Sequence, residues 1–94
     1  MISKVVKAKV FQRDNGRCII CGKPAAPEAH VVPRSQGGLG VEENIVTLCR
    51  DCHRRYDQSA EREAFGKAIR EYLVSIYPGW NEENLIYRKE EEYV

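Results

Sequence analysis

The sequence predicts a small α+β domain that is held together by a metal ion. Three observations lead to this fold class: the chain has only 94 residues, its four cysteines form two C-x-x-C pairs, and two short strand-like segments between the pairs are followed by a helical pattern. At this length apolar burial alone leaves little margin of stability, so a metal or disulfide is often needed. We expect one domain over residues 1–94, with a core at 18–57, a packing helix at 58–79 and a tail at 80–94.

The cysteines predict a structural zinc site. The opening residues mix lysine with valine, and no segment is long and apolar enough to cross a bilayer, so we expect a cytoplasmic protein without a membrane partner. Thiols stay reduced there, and the spacing C-x2-C-x27-C-x2-C suits tetrahedral zinc. A redox C-x-x-C motif is the disfavoured alternative, because it needs no second copy and no βαβ pattern surrounds it. The four ligands are Cys18, Cys21, Cys49 and Cys52.

The elements follow from periodicity. Ile2, Val6 and Val10 lie four residues apart and predict a short amphipathic helix that ends at the Asp-Asn-Gly turn. The segments EAHVVP and NIVTL predict two strands of a hairpin, joined through a glycine-rich loop, and a helix is expected to begin near Asp51.

A second stripe of apolar residues, at steps of four and one, predicts the packing helix, which the Tyr-Pro-Gly segment ends. Its members are Ala64, Phe65, Ala68, Ile69, Tyr72, Leu73, Ile76 and Tyr77. In the tail, Trp80, Leu85, Ile86 and Tyr87 are available for docking, and the acidic end is expected to fray.

The charge is distributed unevenly along the chain. Residues 1–56 carry ten Lys/Arg and five Asp/Glu, a net +5, whereas residues 57–94 carry a net −4. The basic part is suited to a phosphate backbone, because basic side chains release condensed counterions there. An ordinary solvated surface is the alternative.

Four polar residues between and after the cysteine pairs match the needs of phosphodiester hydrolysis, which requires a base to activate water and a cation at the phosphate. His30 is the candidate base. His53 and Asp57, at i and i+4 of a helix, can bind one divalent ion. Asn44 can tie the loop to the base or give an oxygen to the ion. Taken singly, each residue also has an ordinary structural explanation.

The segment CIICGKPAAPEAHVVPRSQGGLGVEENIVTLCRDCHRRYD, residues 18–57, resembles the HNH endonuclease family, in the branch with two C-x-x-C zinc knuckles. The motifs His-x-x-Pro-Arg-Ser, Gly-Gly, Glu-Asn-Ile-Val and Leu-Cys-x-x-Cys-His occur together and in order. Small phage-encoded members are similar.

The resemblance implies a ββα-metal, treble-clef-like fold stapled by zinc, with an N-terminal helix and a long C-terminal helix. It implies metal-dependent cleavage of DNA, as a nick or a double-strand break. His30 would be the general base, Asn44 would orient the loop or help to bind the ion, and His53 would bind the catalytic metal with Asp57.

Further expectations accompany the resemblance. The catalytic ion would be Mg²⁺ or Mn²⁺, with Zn²⁺ or Ni²⁺ as alternatives. Arg34, Arg54 and Arg55 are candidate DNA contacts. The setting would be the cytoplasm of a bacterial or phage-infected cell, and the oligomeric state is left open between monomer and dimer.

Two positions depart from the family pattern. Many members have Asp or His before the base, where this chain has Ala29, and Glu28 points to the opposite side of the strand from Ala29. Many also have His where this chain has Asp57, an acceptable oxygen ligand. The alternative function is a non-catalytic treble-clef zinc module that binds nucleic acid or protein.

Overall fold

A computed structural model describes residues 2–58 and 60–86. Two antiparallel strands and three helices make up the described chain, with single 3₁₀ turns at 34–36, 42–44 and 82–85. The hairpin followed directly by a helix confirms the predicted small α+β fold, which is compatible with a zinc-stapled ββα-metal fold. The helices and strands are α1 (Lys4–Arg13), β1 (Ala26–His30), β2 (Ile45–Leu48), α2 (Arg50–Gln58) and α3 (Arg62–Ile76).

Helix α1 ends at the predicted turn, but it begins at Lys4 and so leaves out Ile2, the first residue of the predicted stripe. Ser3 caps its first turn by accepting a hydrogen bond from the backbone N–H of Val6 (3.1 Å), and the helix stops before Asp14. Its apolar face is narrower than expected, because Val10 alone is fully buried while Val5 and Phe11 stand 65% and 52% exposed. The helix is therefore attached to the domain mainly through its C-terminal end.

Strand β1 lies two residues earlier than the segment EAHVVP suggests. It begins at Ala26 and ends at His30, which pairs with Ile45 across the hairpin. The next residue still follows β2, since Val31 N donates to Asn44 O at 2.9 Å, but Val32 N turns to the side chain of Asn44. The hydrogen bond from Val32 N to the Asn44 side chain thus ends the pairing between the two strands, although the β-branched residues Val31 and Val32 would favour a longer strand.

The core lies between the hairpin and the two C-terminal helices. Strand β2 is buried along its whole length, and α2 packs against α3. The buried cluster joins zinc ligands to apolar side chains of all these elements: Cys18, Ala29, Val31, Val46, Leu48, Cys52, Tyr56, Ile69 and Leu73.

The predicted packing helix at 58–79 is observed as the shorter α3, Arg62–Ile76, separated from α2 by a turn. Ala64 and Ala68 belong to the predicted stripe but lie on its exposed side. Beyond the helix, Trp80 Nε1 donates to Glu43 O (2.8 Å) and Leu85 is buried, so this part of the tail docks as expected. Tyr87 and the acidic end lie outside the described residues.

A buried ion pair, which the sequence analysis did not anticipate, connects α1 to the rest. The Arg13 guanidinium forms two hydrogen bonds to the Asp14 carboxylate, at 2.8 and 3.0 Å. Asp14 also accepts from Thr47 N (3.0 Å) and from the hydroxyl of Tyr72, while Arg13 donates to the hydroxyl of Tyr77. Arg13 reaches two backbone carbonyls near β2 as well, those of Glu42 and Ile45.

Among residues 2–58 and 60–86, no helix combines the length and the apolar character that crossing a membrane requires.

Candidate active site

The four cysteines converge as the sequence predicts. Their sulfur atoms all lie within 4.8 Å of one another, and Cys21 Sγ and Cys49 Sγ are 3.5 Å apart. Tetrahedral zinc with Zn–S bonds of about 2.3 Å separates its sulfurs by roughly 3.8 Å, so the cluster fits this ion with little adjustment. The four thiols are free, with no disulfide among them. We therefore assign Cys18, Cys21, Cys49 and Cys52 to a structural zinc site.

The local electrostatics of the cluster favour a cation. Burial raises the pKa of the Cys18 thiol, but hydrogen bonds from backbone groups near Cys21, Cys49 and Ile20 outweigh it and bring that pKa to about 7. Burial and the neighbouring thiols raise the pKa of Cys52. Thiolates packed this closely repel one another, and a zinc ion removes that penalty.

Helix α2 presents two faces to two different surroundings. Cys52 and Tyr56, four residues apart, are buried and point to the zinc cluster and the core. His53 and Asp57, each one residue further on, lie on the adjacent half-exposed face, where His53 Nε2 is 3.3 Å from Asp57 Oδ2. The predicted pairing of these two side chains is thus present in the structure.

His53 and Asp57 line a cleft of about 230 Å³, and His30, the candidate base, lines the same cleft. The cleft contains one guanidinium, two imidazoles and two carboxylates within a small volume. Its lining residues are Glu28, His30, Pro33, Arg34, His53 and Asp57. Four of the residues that the sequence analysis selected therefore meet at one place.

His30 ends strand β1, and its ring carries a buried nitrogen without a partner. The Nε2 atom is inaccessible and forms no hydrogen bond with the described residues. Burial lowers the pKa of His30 below its ordinary value, and the nearby charges of Arg34 and His53 lower it further. The ring is therefore mainly neutral near pH 7. A neutral imidazole has one nitrogen that can accept a proton.

Asn44 is fully buried in the 3₁₀ turn just before β2, and it is not among the residues that line the cleft. Its Oδ1 accepts from Val32 N at 2.8 Å. Its Nδ2 donates to Val32 O at 3.2 Å and to Leu39 O at 2.7 Å. The amide thus fastens the chain just after His30 to the glycine-rich loop.

The loop approaches the same segment closely enough to need glycine. A β-carbon added to Gly38 would lie only 1.8 Å from Val32 O, a backbone atom that cannot move aside. From the other side, the hydroxyl of Tyr56 donates to Val31 O at 3.1 Å. Asn44, Gly38 and Tyr56 together hold the strand end that carries His30.

The three candidate arginines occupy different positions. Arg34 lines the cleft. Arg54 and Arg55 are exposed on α2 and are not among the cleft residues, and Arg55 forms ion pairs with Asp51 (3.8 Å) and Glu61 (3.6 Å). Arg34 is therefore the best placed of the three to meet a phosphate in the cleft.

One charged residue of the cleft, Glu28, was not selected from the sequence. Glu28 lines the cleft together with His30, and the alternation of exposed and buried residues along β1 continues through this part of the strand, although its register is irregular between Ala26 and Ala29. Strand geometry predicts that Glu28 and Ala29 face opposite sides, and the same rule predicts that Glu28 and His30 face the same side. The alternation of strand side chains was the signal that would have found it.

A family model for HNH endonucleases matches residues 18–68, a span that contains both cysteine pairs and every lining residue of the cleft. The chain belongs to the HNH endonuclease family. This membership confirms the resemblance drawn from residues 18–57.

Two curated relatives are similar to this HNH chain. The type IV methyl-directed restriction enzyme EcoKMcrA of Escherichia coli (strain K12) is 37% identical over 87 residues, which cover 82% of this chain and 29% of that protein. Anaredoxin of Nostoc sp. is 32% identical over 50 residues, which cover 51% of this chain and 66% of anaredoxin. The HNH chain thus spans under a third of the restriction enzyme and about two thirds of anaredoxin.

Proposed function

We propose that this HNH chain is a metal-dependent DNA endonuclease in which His30 activates the attacking water. The observation that carries the proposal is the meeting of His30, Arg34, His53 and Asp57 on one cleft. Such a set contains a base, a cationic phosphate contact and a pair of metal donors, which are the parts that phosphodiester hydrolysis uses.

His30 has the chemistry of a general base. Its pKa is lowered first by burial, so the neutral imidazole predominates near pH 7. The Nε2 atom is buried and has no hydrogen-bond partner among the described residues, which disfavours a charge on the ring. The proton leaves water for this ring, and no covalent intermediate with the protein is needed.

The donors His53 and Asp57 fit a divalent cation, since an imidazole nitrogen and a carboxylate oxygen lie 3.3 Å apart and face the cleft. Bound there, Mg²⁺ or Mn²⁺ supplies positive charge to the phosphate oxygens and the leaving group. The charge of the cleft supports this assignment, because Glu28 and Asp57 would repel a phosphate that had only Arg34 as a cationic partner.

We assign Asn44 a positioning role and not a place in the metal shell. Its oxygen and its amide nitrogen are already bonded to the backbone of Val32 and Leu39. Of the two roles that the sequence left open, tying the loop to the base is the one that these bonds support. Arg34 would contact the scissile phosphate, and Arg54 and Arg55 would contact more distant phosphates.

DNA is the substrate that the family and the first relative support. EcoKMcrA is a methyl-directed restriction enzyme by name, and its similarity covers most of this chain. A DNA backbone also suits the net charge of +5 over residues 1–56.

The test is nicking of supercoiled plasmid by the purified zinc-loaded chain with Mg²⁺ or Mn²⁺. We expect His30→Ala to lower the rate by about 10²- to 10⁴-fold, as for the loss of a general base, while zinc content stays unchanged. Gln12→Ala, an exposed change on α1 away from the cleft, is the control and should retain full activity.

Two results would count against the proposal. Equal nicking by His30→Ala would exclude this residue as the base. DNA binding without nicking by the wild-type chain, with either ion, would instead identify the non-catalytic zinc module.

A further inference from the structure

We propose that Glu28 is a third protein ligand of the divalent ion held by His53 and Asp57. The proposal rests on the proposed function, because it assigns a residue to the metal site of that same cleft. It concerns a side chain that neither the family pattern nor the predicted site includes.

The direction of the strand side chains makes Glu28 available to the cleft. Along β1 exposed and buried residues alternate, so that Glu28 and His30 share one face while Ala29 faces the core and is 1% exposed. The methyl group of Ala29 cannot bind an ion, whereas the Glu28 side chain lines the cleft. Glu28 would thus supply the carboxylate that position 29 lacks in this chain.

Glu28 and His53 share two hollows of the surface. They line the cleft together, and they both line a second hollow of about 270 Å³. Both residues therefore border the surface between β1 and α2. A cation bound by His53 in the cleft would therefore lie in a hollow that the Glu28 side chain also lines.

The chemistry of the three donors fits a hard divalent cation. Two carboxylates and one imidazole are a common donor set for Mn²⁺, and an octahedral ion would keep its other positions for water and phosphate. Asp57 alone leaves the ion with one anionic ligand. Glu28 adds the second, which strengthens binding and balances the charge of the cleft.

In the structure the Glu28 carboxylate contacts Lys7 Nζ at 3.7 Å, and its donor atoms do not form a closed group with those of His53 and Asp57. Both partners of the ion pair are substantially exposed, at 44% and 61%, so the pair is screened by solvent and contributes little. The side chain is therefore free to rotate from Lys7 to a divalent ion, which offers twice the charge.

The test is a Mn²⁺ titration of the zinc-loaded chain, followed by electron paramagnetic resonance in the absence of DNA. We expect Glu28→Gln to weaken Mn²⁺ binding by about tenfold or more, the scale of a lost contact at a metal centre, and Asp57→Asn to weaken it similarly. Glu71→Gln, an exposed change on α3, is the matched control and should bind Mn²⁺ like the wild type. Zinc content and thermal unfolding should be the same for all.

Lys7→Gln separates a ligand from a structural ion pair. If Glu28 binds the ion, removal of its competitor leaves Mn²⁺ binding as tight as in the wild type or tighter. If Lys7→Gln and Glu28→Gln weaken binding equally, the contribution comes from the ion pair and the proposal is overturned.

The failure of this inference can be told apart from the failure of the proposed function. Wild-type affinity in Glu28→Gln, together with weak binding in Asp57→Asn and normal plasmid nicking by the wild type, overturns the role of Glu28 alone. A wild-type chain that neither binds Mn²⁺ nor nicks DNA overturns both.

Discussion

The buried amide of Asn44 fastens the chain just after His30 to the glycine-rich loop. Its three hydrogen bonds go to backbone groups of Val32 and Leu39. We expect Asn44→Ala to lower the free energy of unfolding by about 3 kcal/mol, since it leaves buried backbone groups without partners. Asn84→Ala, an exposed asparagine of the last 3₁₀ turn, should change it by less than about 0.5 kcal/mol.

Chemical denaturation of both variants, with zinc bound throughout, measures this difference. A loss as small as that of the control would mean that water replaces the Asn44 amide. Asn44→Asp adds a second check, because a carboxylate still accepts from Val32 N but cannot donate to Leu39 O. We expect it to be destabilised as well.

Residue identity alone could predict that Asn44 belongs near the site, but not how it acts. The sequence shows an amide after a glycine-rich loop, a position where a metal ligand and a loop clamp look the same. Its orientation depends on the path of residues 31–39, which no local pattern specifies. Glu28, by contrast, could have been found from strand alternation alone.

At the scale of elements, α2 connects the zinc cluster to the cleft. Cys52 and Tyr56 use its buried face, and His53 and Asp57 use the adjacent one. Because Cys49 and Cys52 lie at the start of this helix, we expect the cleft to depend on zinc, and we expect zinc binding not to depend on the cleft donors.

This asymmetry gives a prediction for paired variants of α2. Cys52→Ser should lose zinc, Mn²⁺ binding and nicking together, whereas Asp57→Asn should weaken Mn²⁺ binding and slow nicking but retain about one zinc ion per chain. Metal analysis of the purified proteins, beside the plasmid assay, measures both effects. Asp51→Asn, an exposed change on the same helix, is the control. Loss of zinc from Asp57→Asn would show that the two sites are not separate.

The elements themselves were predictable where the pattern is local. The cysteine spacing, the hairpin with its following helix, and the first helix all appear in the structure. The first and last residues of β1 and α3 could not be predicted, because they depend on contacts between residues that are distant in the sequence. Val32 leaves the strand for the Asn44 side chain, and Ala64 and Ala68 continue the apolar period without a partner surface to cover them.

For the whole molecule, the Arg13–Asp14 pair is the main link between α1, β2 and α3. The Asp14 side chain is wholly buried and that of Arg13 is 11% exposed. Removing one partner of such a pair leaves a buried charge unbalanced, which costs about 3–5 kcal/mol. Sequence reasoning missed this link because Arg13 and Asp14 are neighbours in a turn, where exposed charges are the ordinary case.

The link should make stability depend on acid in a defined direction. Burial by itself raises the pKa of Asp14, but hydrogen bonds from Arg13 and Tyr72 outweigh it and lower that pKa below its ordinary value. A carboxyl with a lowered pKa in the folded state stabilises it fully above the unfolded pKa of about 3.9, and this contribution is lost as the pH falls through the folded pKa. The hydroxyl of Tyr72 is affected in turn, since burial and its bond to Asp14 raise the pKa of Tyr72 to about 12.

We therefore expect Asp14→Asn to be less stable than the wild type by about 3 kcal/mol at pH 7, with a difference that shrinks as the pH falls below about 4. Protonated Asp14 then resembles asparagine, so the two proteins converge. Acid also releases zinc from thiolates, but this loss is common to both chains and cancels in the difference. Unfolding measured against pH for the wild type, Asp14→Asn and the exposed control Asp51→Asn tests this directly. A difference that stays constant down to pH 2 would show that the charge of Asp14 does not stabilise the fold.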